Sequence, residues 1–196
     1  MKQPNIRQIV LASSSPRRKE LLALAGLSFT VDPGDYSENM ELPLPPHALA
    51  KFHSVEKARS VAGRYKNALI ISADTFIVYK DSLLGKPHTK KEAARMLHML
   101  NGKTHSVITG FTVMDTANGN KITRSVETYV TFRKLTTGEL EAYINTGEPL
   151  DKAGAYAIQG LGSLIVKKID GDYFNVIGLP LSSLAAALKR FGVRVL

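Results

Sequence analysis

Cysteine is absent from this chain of 196 residues. That excludes disulfide staples and thiolate-bound metals, and it suits a reducing compartment. Long apolar runs are missing as well. The opening Met-Lys-Gln-Pro-Asn-Ile-Arg leads only into Ile9–Ala12, far short of the roughly 20 residues that span a bilayer. Neither a secretory signal nor a membrane partner is expected, and the cytoplasm is the default location. The phosphate-binding pattern GxxxxGK[ST] and a GxGxxG after a strand are both absent, which disfavours Walker-type and dinucleotide-binding readings. His47, His53, His88, His98 and His105 form no HExxH and no close ligand cluster, so none is assigned to catalysis. No tract is polar enough for disorder, and neither repeats nor a linker divide the sequence. A single domain over residues 1–196 is expected, with two lobes around a cleft as an alternative.

Acidic residues are few against basic ones: 17 Asp and Glu face 26 Lys and Arg, a formal charge of +9. Such an excess concentrates anions near the surface. Nucleotides, nucleic acid and anionic lipid all qualify, as does a solvated basic surface with no partner. No aromatic-rich RNA-binding strand and no zinc motif accompanies the charge, so a nucleic-acid module ranks last.

The apolar pattern predicts a mixed α/β chain with a twisted, partly antiparallel sheet flanked by helices. Ile9–Ala12 reads as a strand, followed by a tight turn and a helix that Ser15 caps, Pro16 opens and Gly26 closes. Strand is expected again over Phe29–Asp32 and helix over His47–Ala62. Ala68–Tyr79 is almost continuously apolar, as a central strand covered on both faces requires. A turn at Lys80–Asp81 joins it to Ser82–Leu84 in a hairpin. Thr89 with Glu92, and Thr136 with Glu139, form capping-box patterns that open two further helices. Between them, His105–Asp115 and Ile122–Leu135 read as a hairpin around Ala-Asn-Gly-Asn. Ser163–Ile169 and Tyr173–Ile177 are expected as strands, and Leu179–Phe191 as the last helix.

Four segments can carry chemistry. In Ser13-Ser14-Ser15-Pro16-Arg17-Arg18-Lys19, three cations crowd a helix start whose free amides are already partly positive. A bound phosphate would offset that repulsion, with the hydroxyls, amides and guanidiniums as its ligands; an exposed basic turn is the alternative. Asp74, in Ser72-Ala73-Asp74-Thr75, interrupts the apolar strand. A carboxylate there needs a partner, and a divalent cation supplies one. At a strand end facing a cleft it can also orient an attacking water; capping a turn is the competing role. Lys86, in Gly85-Lys86-Pro87, and Lys57, on the second helix, can each hold phosphate as a point charge or simply be solvated. Finally, Glu148–Gly160 combines two carboxylates, a lysine and glycines as a lid or binding wall would. Its Gln159 carries the donor and acceptor pair that can read a base edge.

Together, Leu11-Ala-Ser-Ser-Ser-Pro-Arg-Arg-Lys-Glu-Leu-Leu, Ser72-Ala-Asp-Thr, Gly85-Lys-Pro, Asp151-Lys-Ala-Gly-Ala-Tyr-Ala-Ile-Gln-Gly and Asn175-Val-Ile-Gly-Leu-Pro-Leu resemble the Maf family of nucleotide pyrophosphatases, in order and over nearly the whole chain. The resemblance implies a fold similar to inosine triphosphate pyrophosphatases, with a central cleft for a nucleoside triphosphate and Mg²⁺ or Mn²⁺, in a homodimer. It implies hydrolysis to the monophosphate and pyrophosphate, with Asp74 catalytic and metal-binding and Glu38 as a second metal ligand. Ser13 and Arg17 fall in the motif expected at phosphate, and Arg18, Lys57 and Lys86 match basic positions near it. Thr75 and Gln159 match positions associated with the subgroup acting on dTTP and UTP. Ser54 departs from the alanine expected three residues before Lys57. The alternatives are a pyrophosphatase for modified nucleotides and a nucleotide-binding regulator of cell division.

Overall fold

The computed structural model describes residues 7–80 and 82–196; the opening six residues and Asp81, half of the expected hairpin turn, lie outside them. A seven-stranded mixed sheet forms the frame. Its strands are β1 (Gln8–Leu11), β2 (Thr30–Val31), β3 (Ala68–Tyr79), β4 (Ser82–Leu84), β5 (Thr104–Asp115), β6 (Lys121–Phe132) and β7 (Val166–Asp170). They lie in the order β2-β1-β3-β5-β6-β7, with β4 paired to β3. β1 runs parallel to β2 and β3, while β5, β6 and β7 follow antiparallel. The helices are α1 (Pro16–Leu24), α2 (Pro46–Ala62), α3 (Lys90–Leu100), α4 (Thr137–Asn145), α5 (Tyr173–Ile177) and α6 (Leu181–Arg190).

β3 is central because both its faces are apolar. Ile70 and Phe76 pack with Ala58, Val61, Leu49 and Ala50 of α2 on one face. On the other, Leu69 and Ile71 meet Leu21 and Leu22 of α1 and Leu184 and Leu188 of α6. Farther along that face, Ile77 joins Leu97 of α3 and Leu140 of α4. The docking of α2 depends on Gly110, which pairs with Asp74 across the β3–β5 ladder. A Cβ at Gly110 would lie 2.2 Å from the carbonyl carbon of Ala50, so only glycine lets the helix approach this closely. Ser54 strengthens the contact by donating to Lys51 O and meeting Thr112 Oγ1 at 2.8 Å, which is what a hydroxyl gains over the expected alanine.

Pairing along one edge of β3 is interrupted. β1 ends at the pair Leu11 with Ile71, and β4 starts at Ile77 with Leu84. Between them, residues 72–76 face no strand on that side among the described residues. Side chains from both faces of the sheet therefore reach a common gap.

Three expectations are corrected. Tyr173–Ile177 is the short helix α5, because Asp172 caps it: Asp172 Oδ1 accepts from Phe174 N at 2.8 Å and Asn175 N at 3.2 Å. Residues Gly160–Leu164 form a 3-10 turn, and strand begins only at Val166. Asp74 lies mid-strand, seven residues into β3, which removes the turn-capping alternative and the strand-end placement alike. Elsewhere the helix starts hold. Thr136 and Glu139 make both capping-box bonds, and Thr89 accepts from Glu92 N.

Candidate active site

The gap beside β3 opens into a cavity of about 450 Å³ lined by Ser13, Arg17, Arg18, Glu38, Lys57, Asp74, Thr75 and Lys86. Alternation along β3 explains how one strand serves it from two sides: Asp74 points toward α2 and Thr75 toward α1 and α5. Asp74 is 7% exposed, and its Oδ1 accepts from Lys57 Nζ at 2.6 Å. The same ammonium meets Glu38 Oε1 at 2.6 Å. Lys57 is itself buried, so of its two sequence readings the structure selects the one that points into the cleft.

Burial pushes the Asp74 carboxyl toward the neutral form, but Lys57, through its charge and its hydrogen bond, and then Arg18 outweigh it and leave the pKa below its ordinary value. Glu38 is governed in the same way, burial opposing Lys57, with a lowered result. Both acids are therefore ionised at neutral pH. One ammonium is shared between the two carboxylates, and Arg18 is the second positive charge near them. Hard, ionised oxygens of this kind suit a divalent cation. Among the described residues no three His, Cys, Asp or Glu side chains converge as a metal cage, so the remaining oxygens would have to come from substrate and water.

Across the gap, α1 begins. Ser15 accepts from Arg18 N at 3.4 Å and Ser13 Oγ accepts from Ser15 N at 3.2 Å, which fixes the turn and leaves the helix dipole facing the cavity. Arg18 is held by three acceptors: Gly178 O at 2.9 Å, Thr75 Oγ1 at 3.0 Å and Ser13 Oγ at 3.3 Å. Gly178 has φ +122°, and an added Cβ would lie 3.4 Å from Thr75 Oγ1 and 3.5 Å from Arg18 Nε; the last sequence motif thus brings a carbonyl against the guanidinium. Desolvation lowers the Arg18 pKa, although a guanidinium remains charged at any physiological pH. Arg17 lies 3.7 Å from Asp151, whose side chain is 64% exposed, a contact too solvated to bind it firmly.

Gln159 lies apart from that cavity. It lines an adjoining pocket that shares Arg17, Arg18, Thr75 and Lys86 with the first and adds the apolar side chains of Ile77, Val107 and Ile158. The segment carrying Gln159 is clipped in place. Glu148 accepts from Tyr143 Oη at 2.9 Å, from Gly162 N at 2.9 Å and from Leu161 N at 3.1 Å. Every residue named for the site from the sequence therefore borders one of two connected chambers: in one, Arg17, Arg18, Lys57 and Lys86 face the carboxylates of Glu38, Asp74 and Asp151, and in the other Arg17, Arg18, Lys86 and Lys152 face an apolar wall. Sequence reasoning missed Thr109 and Asn175. They support the site from β5 and α5 (Thr75 Oγ1 to Thr109 Oγ1 2.9 Å; Thr109 Oγ1 to Asn175 O 3.0 Å). A threonine in a strand rich in Val and Thr carries no signal of such a role, whereas Asn175 belonged to a quoted motif without a role.

A family model described as "Maf-like protein" matches residues 8–191. The chain is 50% identical over 188 residues to the dTTP/UTP pyrophosphatase of Moorella thermoacetica, covering 96% of this chain and 97% of that one. It is 48% identical over 191 residues to the dTTP/UTP pyrophosphatase of Methanosarcina barkeri, covering 97% of both. With the protein of the same name from Bacillus pumilus, identity is 47% over 188 residues, 96% of this chain and 98% of that one.

Proposed function

Because this chain belongs to the Maf family, we propose that it hydrolyses dTTP and UTP to the nucleoside monophosphate and pyrophosphate. The observation that carries this reading is the meeting of Asp74 with the cationic start of α1 across one cavity at the open edge of β3. The triphosphate lies in the chamber beside Asp74. Arg17, Arg18, Lys57 and Lys86 neutralise its charge, Ser13 donates its hydroxyl proton to it, and Arg17 exchanges its solvated contact with Asp151 for phosphate. The base enters the adjoining chamber against the apolar wall of Ile77, Val107 and Ile158, where Gln159 offers a donor and an acceptor to its edge.

Asp74 is ionised, so its free lone pairs accept from a water and aim it at the α-phosphorus. A carboxylate with a depressed pKa is a weak proton acceptor, which makes positioning and charge stabilisation the larger contributions. Mg²⁺ or Mn²⁺ held by Asp74 and Glu38 with phosphate oxygens would neutralise charge and acidify bound water. A homodimer, which rests on the family resemblance, and a cytoplasmic location belong to the same proposal; no described helix is long and apolar enough to cross a membrane.

The test is pyrophosphate release from UTP, dTTP, CTP, ATP and GTP with Mg²⁺ or Mn²⁺, before and after chelation. UTP and dTTP are expected to lead, chelation to stop turnover, and Asp74→Asn to lower kcat by about 10³-fold. Undiminished turnover in that variant removes Asp74 from its role. Preference for a modified nucleotide would move the substrate assignment, and nucleotide binding without turnover would favour a regulator.

A further inference from the structure

Thr109 is fully buried on β5 and directly opposite Thr75 of β3. Its hydroxyl has a single proton, and a carbonyl can only accept. The 3.0 Å contact with Asn175 O therefore consumes that proton. In the 2.9 Å contact between the two threonines, Thr75 must then be the donor. Thr75 in turn accepts from Arg18 Nη2 at 3.0 Å. The chain runs in one direction, from Arg18 to Thr75 to Thr109 to the Asn175 carbonyl. It leaves Thr75 with one open lone pair and no proton to offer.

Phosphate oxygens at neutral pH only accept, so a hydroxyl fixed in this way is no phosphate ligand, although it borders the chamber beside Asp74. Its free lone pair can be met only by a donor. Thr75 also borders the chamber that holds Gln159, and the Watson–Crick edges of pyrimidines differ at N3: uracil and thymine carry N3–H, whereas cytosine presents a lone pair. We propose that Thr109 is a positioning residue that sets the polarity of Thr75, and that the resulting acceptor selects uracil and thymine against cytosine. This deepens the proposed function and rests on it. The anchor is rigid, since Asn175 Nδ2 also donates to Val107 O at 3.0 Å and to Thr128 Oγ1 at 2.9 Å.

The experiment compares kcat/KM for UTP and CTP in the wild type, Thr109→Val and Thr109→Ser. In Thr109→Val the Thr75 proton has no acceptor on β5 and can turn toward the cytosine N3. The UTP-to-CTP ratio is expected to fall at least about tenfold, the scale of one buried hydrogen bond made or left unmade. Thr109→Ser, which keeps the hydroxyl, is expected to retain the wild-type ratio. Thr75→Val, with Thr109 intact, is expected to lose the discrimination as well, which covers the case in which Thr109→Val does not fold. A drop in Tm with an equal loss for both nucleotides, leaving the ratio unchanged, overturns the proposal. Wild-type protein that fails to hydrolyse UTP refutes the proposed function instead. Calorimetric titration with UMP and CMP then decides polarity separately: tighter UMP binding that Thr109→Val abolishes supports it, and equal wild-type affinities refute it.

Discussion

Replacing Lys57 with methionine removes the charge that Asp74 and Glu38 share while keeping most of the buried stem. The Lys57–Asp74 contact is 2.6 Å long between side chains only 11% and 10% exposed, so solvent screens it little. Removing one partner of such a buried pair costs about 3–5 kcal/mol, most of it the penalty of an uncompensated charge. Arg18 remains to favour the Asp74 carboxylate, which sets the expectation at the lower end, about 3 kcal/mol. The Glu38 side chain is 42% exposed, and its half of the network adds less than about 1 kcal/mol. The pH dependence follows from the competing causes. In the wild type the Asp74 pKa is depressed below 3.8, so its stabilisation is present above that value and is lost as pH falls through the folded pKa. Without Lys57, burial dominates, the folded pKa rises above 3.8, and the penalty fades as the pH falls and the acid protonates. The stability gap between the two proteins should be widest near neutrality and narrow toward pH 4. Urea denaturation from about pH 7.5 down to pH 4 measures it, with Lys57→Met/Asp74→Asn expected to recover part of the loss. A gap that stays constant with pH, or lies below about 1 kcal/mol at neutrality, refutes this account of the pair.

Two further outcomes are expected. His105 is 2% exposed, and burial lowers its pKa from 6.5 to about 4, so the unfolded chain takes up a proton there before the folded one does. The associated stability is complete above pH 6.5 and is lost as pH falls toward 4, about 3 kcal/mol in all. The fall in Tm from pH 7 to pH 4.5 should therefore be larger in the wild type than in His105→Gln. Gly110→Ala would drive a methyl into the Ala50 carbonyl; the expected loss is at least about 2 kcal/mol in thermal or urea unfolding, and pyrophosphate release should fall with it because α2 carries Lys57.

What the sequence made legible was local. Pro16 after Ser15, the Thr136–Glu139 pair and the unbroken apolar run of β3 each act through neighbours a few residues away, and each formed the expected element. Asp74 was conspicuous because a carboxylate in that run has an electrostatic cost independent of the fold. What decides the site is nonlocal. Lys57 is buried because Gly110, more than fifty residues on, admits α2 to the sheet. The gap that exposes Asp74 and Thr75 exists because β1 stops at Leu11 and β4 pairs with β3 only from Ile77, opposite Leu84, a matter of pairing that no single segment encodes. α5 was misread for a local reason: Tyr173–Ile177 has strand-like composition, but Asp172 satisfies two of its first amides and tips the segment into helix. The directed chain through Thr109 depends on three elements meeting, and nothing in β5 alone marks it.

In the proposed reaction, water aligned by Asp74 attacks the α-phosphorus. Hydrolysis of UTP in ¹⁸O-labelled water, with the products resolved by mass spectrometry, reports the position of attack. Label is expected in UMP and none in pyrophosphate. Label in pyrophosphate, or in released orthophosphate, would contradict it.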